Sequence, residues 1–237
     1  MNLQYNSTLR GVYYTLSTLL FLFFSTPNLH AQDLNRFQTE VNQIVSKFEN
    51  LEFSSEKKLA LFTGSSSIRL WETLADDFPM FHTLNTGFGG STYRELAHYK
   101  SQLITDYKPD IVVVYEGDND VTGPESAQEI FEIARSFYQE IMHLLPESNL
   151  YILAAKPSPL RWNLKPKYDE LNQLMREYSM EHEQLNYLDI WSPMIGSNQR
   201  PMPHLFLSDS LHMNSEGYAI WTKTIQPILS QTYGEDN

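Results

Sequence analysis

The chain has 237 residues, with 17 Lys and Arg against 29 Asp and Glu, a net charge of −12, 41% apolar and 13% aromatic residues, and no cysteine. That length suits one domain with a full-sized core, and the apolar content excludes a disordered chain. The missing cysteine excludes disulfide scaffolds, thiolate metal centres and cysteine nucleophiles, while the acidic balance argues against a nucleic-acid binder.

Arg10 is the single charged side chain in the first 32 residues, followed by an apolar run over 12–24, then Ser25-Thr26-Pro27 and a small residue at Ala31. This is the pattern of a secretory signal peptide, residues 1–31, cleaved after Ala31. The run is shorter than the roughly 20 residues that span a bilayer. The expected product is an exported protein, periplasmic or secreted, without stable membrane insertion. Left uncleaved, the segment would tether it to the membrane. Residues 32–237 are expected to form a single domain.

Within that domain Phe37, Val41, Ile44, Val45, Phe48 and Leu51 recur at the spacing of an amphipathic helix over 33–51. Strand and helix then alternate: a strand at 59–62, a helix at 69–75, a weaker strand at 83–85 and a helix at 93–104. The run Ile111-Val112-Val113-Val114-Tyr115 is continuous and β-branched, as in the centre of a parallel sheet. A helix at 127–145, a strand at 150–154, a helix at 165–182 and a strand at 185–190 follow. A loop of about 20 residues, long enough to suggest function, precedes a closing helix at 215–228 with Asn214 as its N-cap. Five alternations predict a three-layer α/β/α sandwich on a five-stranded parallel sheet. In such sheets, sites form beyond the carboxyl ends of the strands.

Four polar segments fall there: Gly64-Ser65-Ser66-Ser67-Ile68, Asn85-Thr86-Gly87-Phe88-Gly89-Gly90, Gly117-Asp118-Asn119-Asp120 and Asp209-Ser210-Leu211-His212. Together they supply the parts of an acyl-transfer site. A serine hydroxyl needs a base to take its proton as it attacks, and His212 can serve. Asp209, three residues earlier, lies on the same face of a helical turn and can fix the imidazole tautomer. Backbone N–H groups at the turns and the Asn119 amide are candidate donors to an oxyanion. The residues alone leave three adjacent serines to choose among.

These four segments, in this order, resemble the SGNH/GDSL hydrolases, and the platelet-activating-factor acetylhydrolase-like esterases among them, over about 160 residues from Leu59 to Trp221. The resemblance implies the SGNH hydrolase fold, with a flavodoxin-like sheet. It makes Ser66 the nucleophile, an assignment that the alignment of Phe62, Gly64 and Trp71 supports. Ser66, Gly90 and Asn119 become the oxyanion donors, and Asp209 and His212 the orienting acid and the base. One departure stands out: Ser65 occupies the position where the family usually has Asp, which bears on how the nucleophile turn is supported.

Each segment alone has a plainer reading. The serines could cap a helix, and the glycines could form a tight connection without the spacing of a dinucleotide fingerprint. Glu116, Asp118 and Asp120 are read as solvated or structural, with no metal site. His82, His98, His143 and His182 are read as structural, and His204 lies in the long loop. Arg161 and Trp162, after the fourth strand, either line a substrate pocket or belong to a rigid proline-set loop. Arg69 and Trp71 are expected to pack at the start of the first helix after the first strand.

The expected activity is hydrolysis of short-chain, acetyl-type oxygen esters on a small molecule or glycan, with no cofactor. The alternatives are a lysophospholipase or arylesterase, an acyltransferase on the same triad, or a non-catalytic carbohydrate- or envelope-binding protein. The sequence leaves the oligomeric state open.

Overall fold

The computed structural model describes residue 1 and residues 33–49, 51 and 53–233. Apart from Met1, the expected signal peptide therefore lies outside the described residues. The chain divides into two units at Gln32–Asp33, and the second, from Asp33 onward, is compact.

The second unit opens with a short 3₁₀ turn, Leu34–Phe37, and α1 (Gln38–Phe48). There follow β1 (Leu59–Gly64), α2 (Ser66–Arg69), α3 (Leu74–Asp77), β2 (His82–Asn85), α4 (Tyr93–His98) and α5 (Lys100–Leu103). The chain continues through β3 (Ile111–Tyr115), α6 (Ala127–Leu144), β4 (Asn149–Leu153), α7 (Lys165–Ser179), β5 (Leu185–Leu188) and α8 (Ser215–Tyr233). All strand pairs are parallel, in the order β2-β1-β3-β4-β5. The predicted fold class is the observed one.

The two-residue repeat of the strands splits the core into two layers. Leu59, Leu61, Val112, Val114, Leu150 and Ile152 face α1 and α4–α7. Ala60, Phe62, Ile111, Val113, Tyr115, Tyr151 and Leu153 face α2, α3 and α8. Because β1 and β3 are buried on both faces, they read in sequence as unbroken apolar runs rather than alternating ones.

The predicted helix at 69–75 is in fact two short helices, α2 and α3, separated at 70–73. The break buries the Trp71 ring and lets its Nε1 donate to Asp77 at 2.6 Å. It also starts α2 at Ser66, directly beyond β1. The helix predicted at 93–104 likewise divides into α4 and α5, and Tyr99 at the break is buried. α8 runs on past Pro227 to Tyr233, beyond the predicted 228. Asn214 caps it, its Oδ1 accepting from the N–H groups of Glu216 and Gly217. Among the described residues, no helix is long and apolar enough to cross a membrane.

Candidate active site

The order β2-β1-β3 reverses direction at β1, and a crevice at the carboxyl ends of β1 and β3 is the expected outcome. β1 ends at Gly64 with φ +118°, where an added Cβ would sit 1.9 Å from the Tyr115 carbonyl oxygen. Only glycine fits that approach. The chain then turns sharply, the Ser65 N–H donating to the same carbonyl at 3.0 Å.

This turn separates the three serines. Ser65 and Ser67 are buried, and Ser66, at the first position of α2, is the partly exposed one. Its Oγ lies 3.0 Å from His212 Nε2. On the other side of the ring, Nδ1 is 2.6 Å from Asp209 Oδ2. With the proton on Nδ1, the imidazole donates to Asp209 and accepts from Ser66. The hydrogen-bonded run therefore comprises Ser66, His212 and Asp209.

Asp209 and His212 do not lie on a helical turn as the sequence reading expected. Ser210 has φ +58°, and Asp209 Oδ1 accepts the N–H groups of Leu211 and His212, each at 3.0 Å. An Asx turn, which aspartate forms readily, thus creates the three-residue geometry. Slight burial alone would raise the Asp209 carboxyl. The His212 ring N–H and these two backbone donors outweigh it and bring the group down to about 2.

On the facing side, Gly90 has φ +73° and open space where a Cβ would stand. Among the described residues, no acceptor takes the N–H of Gly90 or of Ser66. Asn119 Nδ2 donates to Ser65 Oγ at 2.7 Å and to the Ser91 carbonyl at 2.9 Å. Both amide hydrogens are engaged, so donation to an oxyanion requires Asn119 to share or exchange one of these bonds. The departure at Ser65 acquires a role here: its hydroxyl joins the serine turn beyond β1 to Asn119.

Beneath Asn119 lies a cluster that the sequence reading missed. Arg161 donates to Asn119 Oδ1 at 3.0 Å and to the Asp118 carbonyl at 2.7 Å. Asp118 pairs with Lys156 at 3.0 Å and Arg161 at 2.8 Å, and accepts the Tyr168 hydroxyl. Burial would raise the Asp118 carboxyl, yet the two cations hold it well below its ordinary range. Arg161 is therefore turned inward onto Asp118 and Asn119. Trp162 stacks on Trp191 at 6.0 Å and borders a cavity of about 350 Å³ with Trp191, Ser192 and Gly196.

The solvated alternative for the acidic triplet is corrected: Glu116, Asp118 and Asp120 are all buried. Burial, reinforced by Asp120, pushes Glu116 well up, while its Oε2 accepts from Ser91 Oγ at 2.8 Å. Burial also raises Asp120 to about 7, against the Tyr93 N–H donated to its Oδ1. Among the remaining histidines, the His82 ring is 3.1 Å from Ser54 Oγ, and His98 and His182 pack on Tyr99 and Tyr178. The His204 carbonyl accepts from Asn214.

No curated protein sequence matches the chain. Solved structures share its fold. A candidate acylhydrolase of Bacteroides fragilis superposes with a TM-score of 0.67 at 22% identity, covering 84% of this chain and 97% of that one. A GDSL-like lipase of Bacteroides thetaiotaomicron gives 0.66 at 20% identity, covering 84% and 98%. An acetylxylan esterase of Geobacillus stearothermophilus gives 0.60 at 16% identity, covering 74% and 94%. At these identities the likeness is one of fold. The model of the GDSL-like lipase/acylhydrolase family matches residues 62–220, a span that begins within β1 and ends within α8. The chain thus belongs to the GDSL-like lipase/acylhydrolase family and is a carboxylic ester hydrolase of that family.

Proposed function

We propose that the protein is an exported serine esterase that removes short acyl groups, acetyl foremost, from oxygen esters of small molecules or glycans. The observation that carries this reading is the run of hydrogen bonds from Ser66 Oγ through His212 to Asp209, at 3.0 and 2.6 Å. Export rests on the pattern of residues 1–31. The glycan preference draws on export and on the fold shared with an acetylxylan esterase.

In this mechanism Ser66 Oγ bonds to the ester carbonyl carbon as its proton passes to His212 Nε2. The carbonyl π electrons move to oxygen, and the N–H groups of Ser66 and Gly90, with Asn119, stabilise that oxyanion. As the intermediate collapses, the carbon–alkoxide bond breaks and His212 returns the proton to the leaving alcohol. Water then attacks the acyl-enzyme by the same route, releasing the acid and restoring Ser66. Asp209, kept ionised, stabilises the imidazolium at each stage.

The test is hydrolysis of p-nitrophenyl acetate, butyrate and octanoate by the protein and by Ser66→Ala, with a fluorophosphonate probe alongside. Acetate hydrolysis that disappears in Ser66→Ala, with labelling of the unmodified protein alone, is the expected result. A folded protein that neither labels nor hydrolyses any ester would favour the binding-protein alternative. Activity surviving in Ser66→Ala would refute this nucleophile. Acyl transfer to an added alcohol in preference to water would make it a transferase.

A further inference from the structure

The peptide group that carries the Gly90 N–H runs from Gly89 to Gly90, so its orientation depends on torsions at two residues without side chains. Such a pair is the least restricted link a chain can contain. The planes on either side of it are held from outside the turn. The preceding plane ends in the Gly89 N–H, which donates to Glu40 Oε1 at 3.1 Å. The following plane begins with the Gly90 carbonyl, which accepts from Arg36 Nη2 at 3.2 Å.

Both side chains are themselves anchored. Arg36 makes a two-pronged pair with Glu95, whose side chain is fully buried and also accepts the Thr92 N–H at the start of α4. Glu40 lies 3.6 Å from Arg69, three residues after Ser66 on α2. Between them in sequence, the Phe37 ring meets the Phe88 ring edge-on with centroids 5.1 Å apart. One turn of the N-terminal segment therefore touches the glycine turn, α4 and the nucleophile's helix.

We infer that Arg36 and Glu40 are positioning residues that aim the Gly90 N–H. With both neighbouring planes held, four glycine torsions are reduced to one concerted rotation of the middle peptide. The inference rests on the esterase reading, in which that N–H binds the oxyanion. It assigns the segment just after the expected signal peptide a part in turnover as well as in packing.

The experiment uses the full chain with Arg36→Met, Glu40→Met and Glu40→Gln, counting competent sites by fluorophosphonate titration. Both methionine variants should lose about tenfold in kcat per titrated site on p-nitrophenyl acetate, with KM held within about twofold, since small misplacements of catalytic groups cost up to ~10² in rate. Phenylboronic acid, whose Ser66 adduct puts a negatively charged centre beside the hole, should lose affinity in parallel. Glu40→Gln keeps an amide oxygen for the Gly89 N–H and should retain most of the activity.

A merely structural role would lower the number of titratable sites and leave kcat per site and boronate affinity unchanged. That result, or a Glu40→Gln as impaired as Glu40→Met, would overturn the inference. If Arg36→Met fails to fold with Glu95 unpaired, the Glu40 pair decides. A folded wild-type protein that does not label at Ser66 would bring down the esterase reading, and this inference with it. The two failures are therefore told apart by the label.

Discussion

Asn119 sits where three lines of force meet: Ser65 and the Ser91 carbonyl draw its amide nitrogen, and Arg161 holds its oxygen. Such a side chain is pre-oriented, which is what gives an oxyanion donor its value, and it would reach an oxyanion by sharing or exchanging one of the bonds it already makes. Asn119→Ala is expected to cost ~10²–10³ in kcat. Ser65→Ala removes one of the tethers and is expected to cost less, roughly tenfold. Both variants should still titrate with fluorophosphonate, and steady-state rates per titrated site check the order. Equal losses would mean that Ser65 acts directly on the substrate. The candidate Ser-Asn-Asp-His set was legible because each member sits in a short motif at a strand end. Ser65, Arg36 and Glu40 were not, because what they do depends on residues 54, 54 and 49 positions away.

At the level of elements, the connection from β4 to α7 secures the one from β3. Lys156, just past β4, is fully buried and reaches Asp118, while Arg161 and Tyr168 complete the enclosure. Lys156→Met leaves a buried carboxylate short of one cation, and losing one partner of a buried pair costs ~3–5 kcal/mol. A fall in the midpoint of urea unfolding should be accompanied by a lower kcat, since Asp118 and Asn119 are consecutive. An unchanged midpoint would mean that Arg161 and Tyr168 suffice. Periodicity found each long helix and strand here to within a few residues. It missed the breaks at 70–73 and at Tyr99, where burying Trp71 and Tyr99 outweighs the continuity of the helix. Nothing local in the sequence distinguishes those breaks from ordinary helical turns.

For the whole molecule, the buried acids set a dependence of stability on pH. Asp120 is raised by burial to about 7 from an ordinary 3.8, and Glu116 is raised by burial as well. In both cases the unfolded chain releases its proton first. Their contribution is fully present below about pH 4 and declines as pH rises towards the folded value, by up to ~1.4 kcal/mol per pH unit for each group. Asp118 and Asp209 are depressed, so they act oppositely and favour the fold above about pH 4. Asp120→Asn keeps the acceptor for the Tyr93 N–H and should flatten the decline. Urea unfolding at pH 5 and 7.5 should show the variant exceeding the parent at the higher pH. A parent whose stability does not fall across that interval would contradict the burial argument.

The contact between Ser66 and His212 joins residues 146 positions apart. Ser66 lies near the start of the domain, but His212 arrives after the fifth strand and just before the final helix. A chain that has not yet placed the segment after β5 against the turn beyond β1 lacks the pair. A chain that crossed a membrane unfolded would therefore pass the cell's own esters inert, and would acquire this pairing only once the segment after β5 had closed over the turn at Ser66.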